Sequence, residues 1–332
     1  MPEPGTGAGI PGPADLRAAE GWFAANGLPY FVDDVRHEVS SRLSRERLVL
    51  VASGVLVVAV AIGIVAAQVL DGDVSLGISS AVQVLLVLVL GYGLLVLRVG
   101  PIAAWAGRRT FRSLGMLFQL ATRALPLLLL FVTFLFINTE VWMVAGSLDG
   151  GVMGLAVLLF AAMATIFLLV RLPEEVARMD DGLDGDRVGS ACRGTPLEAW
   201  TGLDGGPGID EPMTRLERSN LVLVLLVSQV IQVLLLSLSV FGFFLVFGAV
   251  TMDPDVIESW IGEPPTQLLG QSLVSRELVQ VATFLASFSG LYFTVYAVTD
   301  ETYRKQFFTE VTDELERAMG AREIYRAMRR AR

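Results

Sequence analysis

One cysteine, Cys192, one histidine, His37, and one lysine, Lys305, are all that 332 residues contain of those three types. Each scarcity closes off chemistry. A lone cysteine forbids an intramolecular disulfide. A lone histidine ahead of the first apolar run removes paired-histidine metal sites and any serine–histidine dyad in the apolar region. A lone lysine, set in Tyr-Arg-Lys-Gln, excludes a Gly-x-x-x-x-Gly-Lys phosphate loop, a membrane Schiff base and a Ser/Lys dyad. No Gly-x-Ser-x-Gly occurs either. The sequence therefore predicts no enzyme: no catalytic residues, no cofactor and no metal. The start, MPEPGTGAGIPGPA, also lacks the basic stretch and short apolar core of a cleavable signal, so the first apolar run is expected to act as its own insertion signal.

What is abundant is apolar length. With 53% hydrophobic and 18% charged residues, the chain is too apolar for a soluble domain. Crossing ~30 Å of hydrocarbon at ~1.5 Å per residue takes about 20 apolar residues. Six stretches qualify: 48–70, 74–97, 124–146, 151–170, 221–250 and 278–298. The predicted fold class is all-α, a polytopic membrane protein of six transmembrane helices. Of 25 basic residues, only Arg276 falls in the three loops opposite the termini. That bias puts both termini, N-in and C-in, in the cytoplasm. The outer loops carry Asp71, Asp73, Asp149, Asp253, Asp255, Glu258, Glu263 and Glu277 against Arg276, so most of the net charge of −9 is external. The expected location is a membrane crossed several times, with the lipid bilayer as one partner and no nucleic acid.

Around the spans the sequence predicts a disordered start (1–13), a cytoplasmic helical segment (14–47), a cytoplasmic loop (172–220) and a cytoplasmic C-terminal helix (299–332), with 48–298 as the membrane domain. Ala14 to Asn26 reads as a helix stopped by Gly27. Val35 to Arg47 reads as a second, running straight into the first span. Between spans two and three, Arg108, Arg109 and Arg112 alternate with Trp105, Phe111, Leu117 and Phe118. This suits a cytoplasmic amphipathic helix, lying at the leaflet or packed on the bundle. Outside, Asp253 and Pro254 open a short helix with Val256, Ile257, Trp260 and Ile261 on one face, ending at Gly262. In the tail Tyr303, Phe307, Val311, Leu315 and Ala318 make a stripe that needs a partner surface: the chain's own loops, a second copy or another protein.

Asn138, Thr139 and Glu140 interrupt the third span. Seventeen residues beyond Arg123, or ~25 Å of helix, Glu140 would lie near the outer boundary, with Trp142 as interface aromatic. Gln83, Gln280 and Thr283 fall at similar depth, so Glu140, Asn138, Gln83, Gln280 and Thr283 form the candidate polar cluster. Either these groups hydrogen-bond between helices or they enclose water around a proton or cation site. Gln280, Thr283, Ser287, Gly290 and Thr294 make a small and polar stripe, as do Ser228, Gln232 and Ser239 in the fifth span. Ala59, Gly63 and Ala67 form a small-residue seam in the first.

GLPYFV before the first span, RALPLLLLFVTFLFINTEVW in the third and VTDETYRKQFF leading into the tail resemble a set of uncharacterised integral membrane proteins of actinobacteria. The Arg-rich, Lys-poor usage is compatible with such genomes, and the resemblance implies no activity. Two functions are left: a non-catalytic membrane assembly or scaffold protein working through its C-terminal helix and cytoplasmic loops, or an ion- or proton-coupled transport module using the outer polar cluster.

Overall fold

The computed structural model describes residues 10–69, 74–112, 130–148, 150–181, 185–201, 212–268, 274–299 and 301–331, and these are helical with turns and no β-strand. The helices are α1 (Pro13–Ala25), α2 (Asp33–Arg42), α3 (Arg45–Val69), α4 (Val74–Val96), α5 (Val99–Arg112), α6 (Thr139–Gly146), α7 (Gly150–Asp181), α8 (Gly185–Ala191), α9 (Arg215–Thr251), α10 (Pro254–Ile261), α11 (Arg276–Thr299) and α12 (Glu301–Arg330). Four of them, α3, α7, α9 and α11, are long and apolar enough to cross a membrane, five if the bent α4–α5 pair counts as one.

α3 and α4 meet along a seam of small residues. A methyl at Gly63 would sit 2.7 Å from Ala81 Cβ and 2.8 Å from the Gly77 carbonyl, and one at Gly77 would sit 2.8 Å from Ala67 Cβ and 2.9 Å from the Gly63 carbonyl. Each pairing runs forward on one helix and backward on the other, so the two are antiparallel. Close backbone approach of this kind is what packs helices where lipid removes the hydrophobic incentive. Beyond that seam the hairpin is thinly attached. Among the described residues α4 is the only element α3 packs against to any extent, while α4 also touches α5 and α7.

The other long apolar helices, α7, α9 and α11, pack on one another around two clusters. One cluster joins Val132, Phe136 and Trp142 to Val240, Phe244, Leu278 and Leu285. Gly248 makes room for it, since a methyl there would run into Leu278 and lie 3.0 Å from Phe136 Cζ. The second gathers Leu16, Ala19 and Phe23 of α1, Ile102 and Ala106 of α5, Leu221 and Val224 of α9, and Leu315, Ile324 and Tyr325 of α12. Both ends of the chain therefore share one core.

Four sequence readings change. α2 stops at Arg42 and α3 restarts at Arg45; the Ser44 carbonyl receives the Leu48 N–H, and serine favours such starts. The 124–146 stretch is not one helix in its described part. Residues 130–136 are helical, the chain breaks at Ile137 and Asn138, and α6 follows. Trp142, expected to face the membrane interface, is instead fully buried within the chain and donates its indole N–H to the Phe136 carbonyl at 2.7 Å, an acceptor freed by that break. Finally, the 172–220 loop is partly helix, because α7 runs through Pro173 to Asp181 and α9 begins at Arg215. Residues 1–9, 70–73, 113–129 and 202–211, on which the disordered start, the first outer turn, the far half of the amphipathic segment and much of the Gly- and Asp-rich loop fall, lie outside the described residues.

α5 leaves α4 at 86°, with Arg98 in the left-handed region at φ 45°. That conformation strains a residue with a Cβ. Arg98 is held there by an ion pair to Glu38. The turn lays Ile102, Trp105 and Ala106 against the second core and leaves Phe111 exposed. α10 is capped as its sequence suggests, by Asp253 at its start and Gly262 at φ 82° past its end.

Candidate functional site

Four of the five predicted polar residues are divided between the two ends of α6. Asn138 is its N-cap, with the side-chain oxygen accepting from the Glu140 N–H at 2.8 Å and the Val141 N–H at 3.3 Å. A polar residue that looked misplaced inside a span is thus the device that restarts the helix. Glu140, in the first turn, is exposed, where a carboxylate complements the helix dipole. Beyond the other end, about 10 Å of helix away, Gln280 donates to the Leu148 carbonyl at 2.5 Å and Gln83 to the Gly151 carbonyl at 3.4 Å. Those two amides clasp the turn between α6 and α7. Thr283 donates to the Val279 carbonyl of its own helix at 2.7 Å. Gln83 and Gln280 therefore meet at one turn, and no hydrogen bond shown links them to Glu140.

Among the described residues, the densest polar constellation lies where α1, α2 and α12 meet the start of α9. Thr214 and Glu217 form a capping box at the start of α9: Glu217 Oε2 accepts from the Thr214 N–H at 2.8 Å, and the Glu217 N–H donates to Thr214 Oγ1 at 3.3 Å. The Glu217 carboxylate is 1% exposed. Around it stand three arginines from two other elements: Arg36 Nη1 of α2 at 2.7 Å, Arg322 Nε and Nη2 of α12 at 3.1 and 3.0 Å, and Arg326 Nη2 of α12 at 3.2 Å. Arg322 also pairs with Glu323, Arg36 with Asp33, and Arg329 reaches Asp33. A charge this deep is tolerated only when paired and hydrogen-bonded. Here one carboxylate ties α2, α9 and α12 together.

Neighbouring groups complete the clasp. Asn220, fully buried one turn along α9, accepts from the Tyr30 N–H at 2.8 Å and donates to the Gly27 carbonyl at 3.1 Å. The Tyr30 hydroxyl donates to the Leu97 carbonyl at 2.6 Å, pinning the bend after α4. Tyr325 packs edge-on to Phe23 and donates to Glu20 at 2.9 Å. Burial pushes the Tyr325 phenol up to about 12, so it stays a donor. Glu323 is shifted upward by burial, against the pull of Arg322 and then Arg326 and Arg330. Burial likewise pushes the Cys192 thiol up to about 11. A thiol held neutral inside a core is a packing residue, not a nucleophile.

This clasp was not foreseen from the sequence. Thr214-Arg-Leu-Glu217 ahead of an apolar run is a legible capping signal, but nothing local marks Glu217 as the meeting point of three arginines up to 181 positions away. Among the described residues no group of three or more His, Cys, Asp or Glu side chains is placed to hold a metal ion. Comparison with family models, with curated proteins and with solved structures gives no match for this chain.

Proposed function

We propose that the chain is a non-catalytic assembly protein of a bacterial plasma membrane, crossing the bilayer six times with both termini in the cytoplasm. The third crossing is read as broken, made of the stretch before Asn138 and α6. The Arg distribution supports the orientation.

The observation that carries the assembly reading is the burial of α3. Only 11% of its membrane window is buried within the chain, against 50% for α11. Its outward face presents Val57 and Val65, and neither Gly54 nor Gly91 and Gly93 of α4 has an atom within 4 Å of where a Cβ would stand. Such open notches let another helix approach closely. The C-terminal helix is less available for this role than its sequence suggests, because Leu315 and Ala318 are 1% exposed against the chain's own core. Tyr303, Phe307 and Val311 lie outside the described side chains. In this reading the clasp at the termini fixes the base of a hairpin whose outer face receives a membrane partner.

The test is co-purification from native membranes in mild detergent. Val57→Trp together with Gly54→Leu is expected to detach a stoichiometric partner while the protein remains monodisperse, and Glu140→Gln is expected to leave the complex unchanged. A complex indifferent to the hairpin variants would overturn the proposal, and cation flux in proteoliposomes that Glu140→Gln abolishes would replace it with transport.

A further inference from the structure

A polar cavity of about 80 Å³ lies where α1, α5 and α12 converge. Trp22 and Asn26 at the end of α1 line it, with Trp105 of α5 and with Glu314 and Arg317 on the stretch of α12 that leads to Arg322. Three parts of the chain that are distant in sequence therefore each bring a polar side chain to one small space.

Two of these side chains can only donate. Trp105 is 7% exposed. Among the described residues its indole N–H makes no hydrogen bond, and it is not one of the sealed, unpaired atoms either. A buried indole N–H normally finds a partner, and the opening that Trp105 lines is this cavity. Arg317 donates through Nε to the Ala191 carbonyl at 3.1 Å and through Nη2 to the Arg193 carbonyl, which fixes its guanidinium at the end of α8. Its Nη1 takes part in neither bond. The nearby carboxylates do not neutralise it: Glu314 pairs with Arg109 at 2.6 Å, and Glu198 accepts the Gly194 N–H at 2.7 Å.

A guanidinium and an indole N–H lining one cavity select an anionic acceptor. Glu314 narrows the choice. A carboxylate has about four lone-pair sites, so beside its pair with Arg109 it can accept from a ligand that carries its own O–H, whereas an anion without one meets only repulsion. Size narrows it again. The cavity has roughly half the ~150 Å³ that encloses a benzene, which suits a compact tetrahedral group and excludes a nucleotide. Arg317 is exposed, so the ligand can enter from its side.

We propose that this cavity binds a protonated tetrahedral oxyanion, a hydrogen phosphate either free or as the phosphomonoester headgroup of a lipid, held by Arg317 and the Trp105 indole N–H and recognised through its O–H by Glu314. The bound group joins α5 to α12 beside α1, so its occupancy tightens the same junction that Glu217 closes.

The test is equilibrium binding of radiolabelled inorganic phosphate to the full-length protein in phosphatidylcholine nanodiscs at neutral pH, with ionic strength held constant by chloride. Saturable binding at one site per chain is expected. Sulfate offers no O–H and should compete at least about tenfold more weakly, the scale of one hydrogen bond to a charged group. Arg317→Gln and, independently, Trp105→Phe should each weaken binding about tenfold or more on the same scale, both checked for monodisperse elution and an unchanged thermal midpoint. Phosphatidic acid placed in the same nanodiscs displaces the label if the source is a lipid headgroup and leaves it bound if the source is the free ion, and either result supports the site. No saturable binding, or binding that both folded variants leave unchanged, would overturn the site. Sulfate competing as well as phosphate would overturn the hydrogen phosphate assignment.

Discussion

Replacing Glu217 by glutamine keeps the shape of the side chain and removes the charge that three arginines share. The carboxylate is 1% exposed and receives bonds from Arg36, Arg322 and Arg326 between 2.7 and 3.3 Å, besides those from Thr214. The amide offers one acceptor oxygen and turns an N–H₂ toward donors. Breaking a buried pair from one side typically costs ~3–5 kcal/mol because the remaining charges stay buried. The readout is hydrogen exchange of peptides from 314–330 in detergent, since α12 is the element the clasp retains. At 1.4 kcal/mol per tenfold, that loss predicts exchange faster by about a hundredfold to a few thousandfold. Glu38→Gln is the control: Glu38 pairs with Arg42 and with Arg98 at the α4–α5 bend while 36% exposed, and an exposed pair contributes ~1 kcal/mol or less. If Glu217→Gln accelerates α12 exchange no more than Glu38→Gln does, the clasp is not what holds the termini.

Asn138→Ala removes the α6 cap and should destabilise by ~1 kcal/mol, with Asn138→Asp close to neutral, read as shifts in thermal midpoint. Gly63→Ala would force a methyl to within 2.8 Å of Gly77 backbone, costing ~1–3 kcal/mol as overpacking, and should loosen α3 from α4 in cysteine cross-linking across the seam. Cys192, pushed up from 9.0 to about 11 by burial, should react with maleimide at pH 8 at least about a hundredfold more slowly in the folded than the denatured protein, since two pKa units remove that much thiolate. Glu323 is raised in the folded state by burial. Folding therefore favours its protonated form, and the associated stability is present below the unfolded value of ~4.3 and lost as pH rises through the folded one. Glu323→Gln should accordingly gain stability relative to the parent as pH rises from about 4 to 7, and a difference that shrinks over that range would refute the assignment.

Helical class, the presence of several helices long and apolar enough to cross a membrane, and the cap chemistry of α10 were legible because apolar length and capping residues act locally. So was the Ala59–Gly63–Ala67 seam, whose partner turned out to be Gly77 and Ala81. The capping role of Asn138 was not legible, because a polar run in an apolar stretch can equally be read as a membrane site, and the cap shows only in the backbone break. The burial of Trp142 was hidden for the same reason, since the carbonyl that draws its indole inward is free only where the helix ends. Glu217 and Arg322 lie far apart in sequence, and periodicity says nothing of which charges will share one buried point.

Whether the α3–α4 hairpin faces a protein partner, as proposed, is decided by what lies against α3 in the membrane. A photo-crosslinking amino acid at Val57, which is 67% exposed on α3, compared with one at Val170, 69% exposed on α7, tests it in native membranes at equal accessibility. With a partner on that face, position 57 gives a discrete protein adduct and position 170 only lipid adducts. Lipid adducts alone from both positions would contradict the proposal.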